Sequence, residues 1–130
     1  MGVQLAPPRG TIEYKLPEYM ERQKFFNMYD SIGALSPFEG VEIVGYPSHL
    51  VELVKAEGTD EWKTAQLDDE IVLVVQGEVS ATFQENGNRV ARATAVKGEV
   101  LLLPVGLDFQ LSGSGAEPGL FLHFRMRGAQ

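Results

Sequence analysis

From Val41 onward the chain alternates short runs of branched and aromatic residues with turn signals, and that rhythm leaves few folds open. The runs are VEIVGY, HLVELVKAE, EIVLVVQG, VSATFQ, RVARATAV, EVLLLP, FQLSG and LFLHFRMRG. Between them lie Tyr46-Pro47-Ser48, Gly77-Glu78, Asn86-Gly87-Asn88, Lys97-Gly98 and the stretch from Gly113 to Gly119. Asn86-Gly87 is the strongest hairpin signal, because a tight hairpin needs positive φ at its centre. About eight strands at this spacing, with no helix between them, predict an all-β chain built as an antiparallel sandwich or small barrel.

The first forty residues follow another pattern. In LPEYMERQKFFNMYDSIG, Pro17 suits a first helical turn and Gly33 a helix end. Apolar and aromatic positions recur at Tyr19, Phe26 and Tyr29, and again at Phe25, Met28 and Ile32, a spacing that suits a short amphipathic helix. The expected organisation is an N-terminal arm over residues 1–40 followed by a β domain over 41–130. The arm packs either on its own domain or on another subunit, with Tyr19, Phe25, Phe26 and Tyr29 as the candidate contacts.

Composition narrows the function classes. The 130 residues suffice for one domain. The chain has no cysteine, which removes disulfides, thiolate catalysis and sulfur-ligated metals, and only two histidines, His49 and His123. A net charge of -7 without a basic stripe argues against a nucleic-acid surface. No run of about 18 apolar residues occurs, and MGVQLAPPRG lacks the apolar core of a signal peptide, so neither a membrane partner nor export is expected and a cytoplasmic location is.

Two segments carry a spaced skeleton. In the first, Gly58 is followed by five residues, Thr64-x-Gln66, three residues, Glu70, six residues and Gly77. In the second, Gly98 is followed by five residues, Pro104-x-Gly106, two residues and Phe109. These resemble the two cupin motifs, in which a glycine precedes His-x-His, a glutamate and a second glycine, and a later glycine precedes Pro-x-Gly and a further histidine. The resemblance covers residues 41–128 and implies a single cupin-type antiparallel β-barrel, or jelly roll, with the N-terminal helical arm added.

In cupins the histidines and glutamate of those motifs point into the barrel and bind a transition metal. The corresponding positions here hold Thr64, Gln66, Glu70 and Phe109. A hydroxyl or amide oxygen binds first-row metals weakly and phenylalanine not at all, so no metal is expected in this chain and no catalytic residue is assigned to it. The four positions are instead a candidate cavity. Glu70 is either an acid or base in a dry pocket or a leftover polar group bonded to Gln66 or Thr64. Asp68 and Asp69 are expected as solvated charge, and Trp62 as a rim or interface anchor or a core residue. Alternation places Phe121, His123 and Arg125 on one face and Leu120, Leu122, Phe124 and Met126 on the other. With the all-apolar set toward the core, His123 is expected at a surface or interface; with the cavity on the opposite side, it would line it.

A cupin without its metal can support a metal-bearing partner, bind a small molecule, or act as a metal-independent acid-base enzyme. The last requires a histidine or tyrosine base paired with a carboxylate inside the barrel, and Glu70 alone is offered. The arm-plus-barrel layout and the missing ligands are similar to the small subunits of two-component hydroquinone ring-cleaving dioxygenases, in which a small metal-free cupin pairs with a larger iron-bearing one. That resemblance implies a non-catalytic structural subunit, with Fe(II) in a larger cupin partner. The alternative is a homodimer that binds a small aromatic or apolar ligand near Thr64, Gln66, Glu70 and Phe109.

Overall fold

A computed structural model of the chain describes residues 33–45, 48–113 and 115–127. The expected helix, with Tyr19, Phe25, Phe26 and Tyr29, lies outside the described residues. No helix among them is long and apolar enough to cross a membrane.

Among the described residues nine strands form: β1 (Val41–Gly45), β2 (His49–Ala56), β3 (Lys63–Thr64), β4 (Glu70–Gln76), β5 (Glu78–Glu85), β6 (Asn88–Val96), β7 (Val100–Leu103), β8 (Asp108–Gly113) and β9 (Gly119–Met126). Each of the apolar runs became a strand. The one the sequence did not announce is β3, whose two residues are too short to carry a period. The strands make two antiparallel sheets, one in the order β1-β2-β9-β4-β7 and one in the order β3-β8-β5-β6. The all-β expectation is therefore met by two facing sheets, each its own hydrogen-bonded ladder.

The turn chemistry is as the sequence demands. Asn86 and Gly87, between β5 and β6, have φ of 52° and 82°, the doubly positive pair of a tight hairpin. The motif glycines Gly58, Gly77, Gly98 and Gly106 also have positive φ. At Gly77 a second constraint applies, since a Cβ there would stand 2.9 Å from the Cα of Gly119 on β9. Backbone geometry alone therefore explains why the skeleton's glycines are present.

The core lies between the sheets. Val54, Val72, Val74, Leu101, Leu103 and Phe121 project from the first sheet and Val79, Ala81, Phe83, Ala95, Phe109 and Leu111 from the second, all buried in one cluster. Ser80 is the one polar residue buried among the described residues, and its hydroxyl lies 2.8 Å from that of Thr94. A smaller cluster sits on the outer face of the first sheet, where Leu35 packs with Leu53 and Leu120 against Ile43, Val75 and Leu122. This outer cluster explains why alternation left the direction of β9 open. Both faces of the strand are apolar over part of its length, so the pattern could not say which one looks inward. Phe121 enters the core and His123 and Arg125 follow it on the inner side, while Leu122 and Phe124 lie on the outer side.

The strand ends are held by close backbone approach. A Cβ at Gly113 would collide with the carbonyl of Ala56, whereas one at Gly115 would meet nothing nearer than 3.5 Å. Gly113→Ala is expected to destabilise the chain by about 1–3 kcal/mol, and Gly115→Ala to change stability by less than about 0.5 kcal/mol, as read from urea unfolding midpoints.

Candidate functional site

The two skeleton segments meet at one end of the sandwich. β3 pairs with β8 so that Thr64 lies opposite Asp108, and the Thr64 hydroxyl donates to Asp108 Oδ1 at 2.5 Å. The Pro104–Gly106 turn is tied to the loop after β3 by two further bonds: the Gly106 amide donates to the Ala65 carbonyl at 2.8 Å, and the Val105 amide to Asp69 Oδ1 at 2.8 Å. Asp69 thus holds a turn, where simple solvated charge was expected, while Asp68 is exposed and caps the Asp69 amide.

Behind this lash lies a cavity of about 620 Å³. Thr64, Gln66, Glu70 and Phe109 all line it. Phe109, 2% exposed, forms part of the wall and leaves the cavity open. Trp62, 40% exposed, stands at the rim.

The first sheet contributes the residues that sequence reasoning set aside. On the inner face of β9, His123 and Arg125 line the cavity, and Glu52 joins them from β2, where it is the register partner of His123. His123 Nε2 lies 2.7 Å from Glu70 Oε1, with both side chains largely shielded at 13% and 16% exposure. Arg125 Nε donates to Glu52 Oε1 at 3.0 Å. Of the two places left open for His123, the structure shows the one that lines the cavity, and Glu70 bonds to this histidine rather than to Gln66 or Thr64. His49, by contrast, is exposed at the start of β2 beside the Ser48 hydroxyl. Lys63 and Asp60 form a third pair at the mouth, 3.1 Å apart.

The inner face of the first sheet is therefore graded. Val54, Val72, Val74 and Phe121 make its dry part, and Glu52, Glu70, His123 and Arg125 its polar part. Each cavity acid named on it is matched with a base, an arrangement that lowers the cost of shielding the charges.

The set does not fit a transition metal. At the four family positions the hydroxyl of Thr64 is bonded to Asp108, Oε1 of Glu70 is turned to His123, and Phe109 has no donor. Among the described residues no group of three or more His, Cys, Asp or Glu side chains could hold a metal ion. The arrangement offers instead a paired imidazole and a held guanidinium, groups able to accept from and donate to a small polar molecule. It also supplies the histidine–carboxylate pair that the sequence alone did not provide.

The pair has a measurable structural role. His123→Ala removes the partner of a shielded carboxylate and is expected to destabilise the chain by about 1–3 kcal/mol. Glu70→Gln keeps an acceptor toward Nε2 and is expected to cost less. Urea titration of both variants checks the order.

No protein-family model matches the sequence, and no curated protein matches it. Solved structures do. A hydroquinone 1,2-dioxygenase from Sphingomonas sp. TTNP3 with 4-hydroxybenzoate bound superimposes with a TM-score of 0.74 at 21% identity, over 95% of this chain and 85% of that one. A hydroquinone 1,2-dioxygenase in complex with Cd2+ and 4-hydroxybenzonitrile gives 0.75 at 22% identity, over 98% and 90%. A cupin-2 domain protein from Shewanella frigidimarina gives 0.65 at 20% identity, over 78% and 94%. With the spaced skeleton, the paired sheets and these likenesses in place, the chain has the fold of the cupin superfamily.

Proposed function

We propose that this chain is a non-catalytic, metal-free subunit of an aromatic-ring-cleaving dioxygenase of the hydroquinone type, in which a larger cupin partner carries Fe(II). The observation that carries the reading is an apolar region on the outer face of the first sheet that is exposed among the described residues. Ile71 pairs laterally with Phe124 on one side and Leu102 on the other, and Leu73 with Leu122 and Val100. Of these, Ile71 is 40% exposed, Val100 55%, Leu102 52% and Phe124 36%. Leu35 and Ile43 belong to the cluster that covers the neighbouring part of the same face as far as Leu122. Contiguous apolar surface of this kind on a soluble chain marks an interaction site.

The likenesses support the class of partner. The two dioxygenase likenesses cover 95% and 98% of the chain, whereas the cupin-2 likeness covers 78%. In this reading residues such as Phe25, Phe26 and Tyr29 add to the contact. The site chemistry agrees, since the donors around Glu70 leave iron to another chain. A second reading, a stand-alone binding module acting as a homodimer, is favoured by one observation, the open cavity.

Purification from the host is expected to yield a complex of this chain with a larger, iron-bearing one. A large chain that is fully active and stable when isolated would sink the subunit reading. Replacing both Ile71 and Leu102 with glutamate is expected to weaken association by at least about tenfold while leaving the urea midpoint of this chain nearly unchanged. Sedimentation and unfolding together measure the two effects.

A further inference from the structure

The His123 ring is held from one side. A carboxylate can only accept, so Nε2, 2.7 Å from Glu70 Oε1, carries a proton, and a neutral His123 ring then presents its lone pair at Nδ1. Among the described residues Nδ1 meets no hydrogen-bonding partner, and no sealed side-chain nitrogen or oxygen is left without one. Nδ1 is therefore open to the cavity whose wall His123 forms. Two residues along the same face of β9, Arg125 is anchored through Nε to Glu52, which leaves its terminal nitrogens as donors. An acceptor and a group of donors thus stand at the polar end of the cavity, with Phe109, Phe121, Val54 and Leu111 among its apolar walls.

We infer that the cavity is a binding site, belonging to this chain alone, for a flat, ring-sized molecule carrying a hydroxyl group. The ligand O–H donates to Nδ1 of His123, its oxygen accepts from Arg125, and its ring lies against Phe109 and Phe121. With His123 neutral, the acids Glu70, Glu52 and Asp60 outnumber the cations Arg125 and Lys63 around the cavity, which disfavours an anionic ligand and suits a neutral one. Size agrees: an apolar cavity of about 150 Å³ already holds a benzene ring, and this one offers about 620 Å³. Glu70 and Glu52 are positioning residues that fix the imidazole and the guanidinium. The inference rests on the open cavity, and it stands whether or not the chain has an iron-bearing partner.

Trp62 is the sole tryptophan and lines the same cavity, so its fluorescence reports occupancy. The full chain is titrated with phenol and with anisole, which has a similar ring and no hydroxyl hydrogen, and calorimetry accompanies the fluorescence. Saturable binding of phenol is expected, with anisole about tenfold or more weaker. His123→Leu is expected to bring phenol down to the affinity of anisole and to leave anisole unchanged, a selective loss that a merely structural role would not give. Val90→Thr, on an exposed strand away from the cavity, is expected to bind phenol as the parent chain does. Equal affinities for phenol and anisole in the parent chain would overturn the hydroxyl recognition, while leaving the cavity as a ring-binding site. Absence of saturable binding by either probe, in fluorescence and in heat, would overturn the site itself. The phenol–anisole comparison needs no variant, so it decides even if His123→Leu fails to fold.

Discussion

The bond from the Gly106 amide to the Ala65 carbonyl, reinforced by Val105 to Asp69 and Thr64 to Asp108, fixes one end of the sandwich. Two loops distant in sequence are joined there, and the space behind them takes its shape from that join. The turn residues of both loops are needed for it, whereas metal ligands between them are not. The backbone at this end stands without metal ligands, because the join is made by main chain, one hydroxyl and two carboxylates.

The same end shows how a β-sandwich holds charge inside itself. Glu52, Glu70, His123 and Arg125 come from three neighbouring strands of one sheet, and their register brings each acid next to a base. Farther along the same strands the inner positions become Val54, Val72, Val74 and Phe121. One layer of side chains therefore serves as wall at one end and as packed core at the other, and the transition falls within a residue pair on each strand. Gly40 adds a steric limit to this layer, since a Cβ there would approach the Glu52 carboxylate to 2.7 Å.

Much of this was legible beforehand. Strand runs, the Asn86-Gly87 hairpin and the spacing of the skeleton each reflect local backbone demands, and local demands are written in contiguous residues. The gathering of Thr64, Gln66, Glu70 and Phe109 around one space was legible through the family resemblance. What escaped was the side of β9. The alternation of Leu120, Phe121, Leu122, His123, Phe124 and Arg125 was seen, but direction depends on what covers each face, and Leu35 and Ile43 cover part of the outer one from elsewhere in the chain. Tertiary cover of that sort leaves no periodic trace. The pairing of His123 with Glu70 was missed for the same reason, since the partners are 53 positions apart and meet only through the register of β4 on β9.

The strand β7 closes one edge of the five-stranded sheet, and its outward residues Val100 and Leu102 are both more than half exposed. An edge strand presents unpaired backbone groups, and here apolar side chains stand beside them, which is the combination that lets separate molecules add to one another in the cross-β manner. Solubility of the chain is then a matter of stoichiometry. If the chain is the proposed subunit, copies made in excess of its partner carry a self-association hazard, and balanced synthesis would protect the cell as much as it completed an assembly.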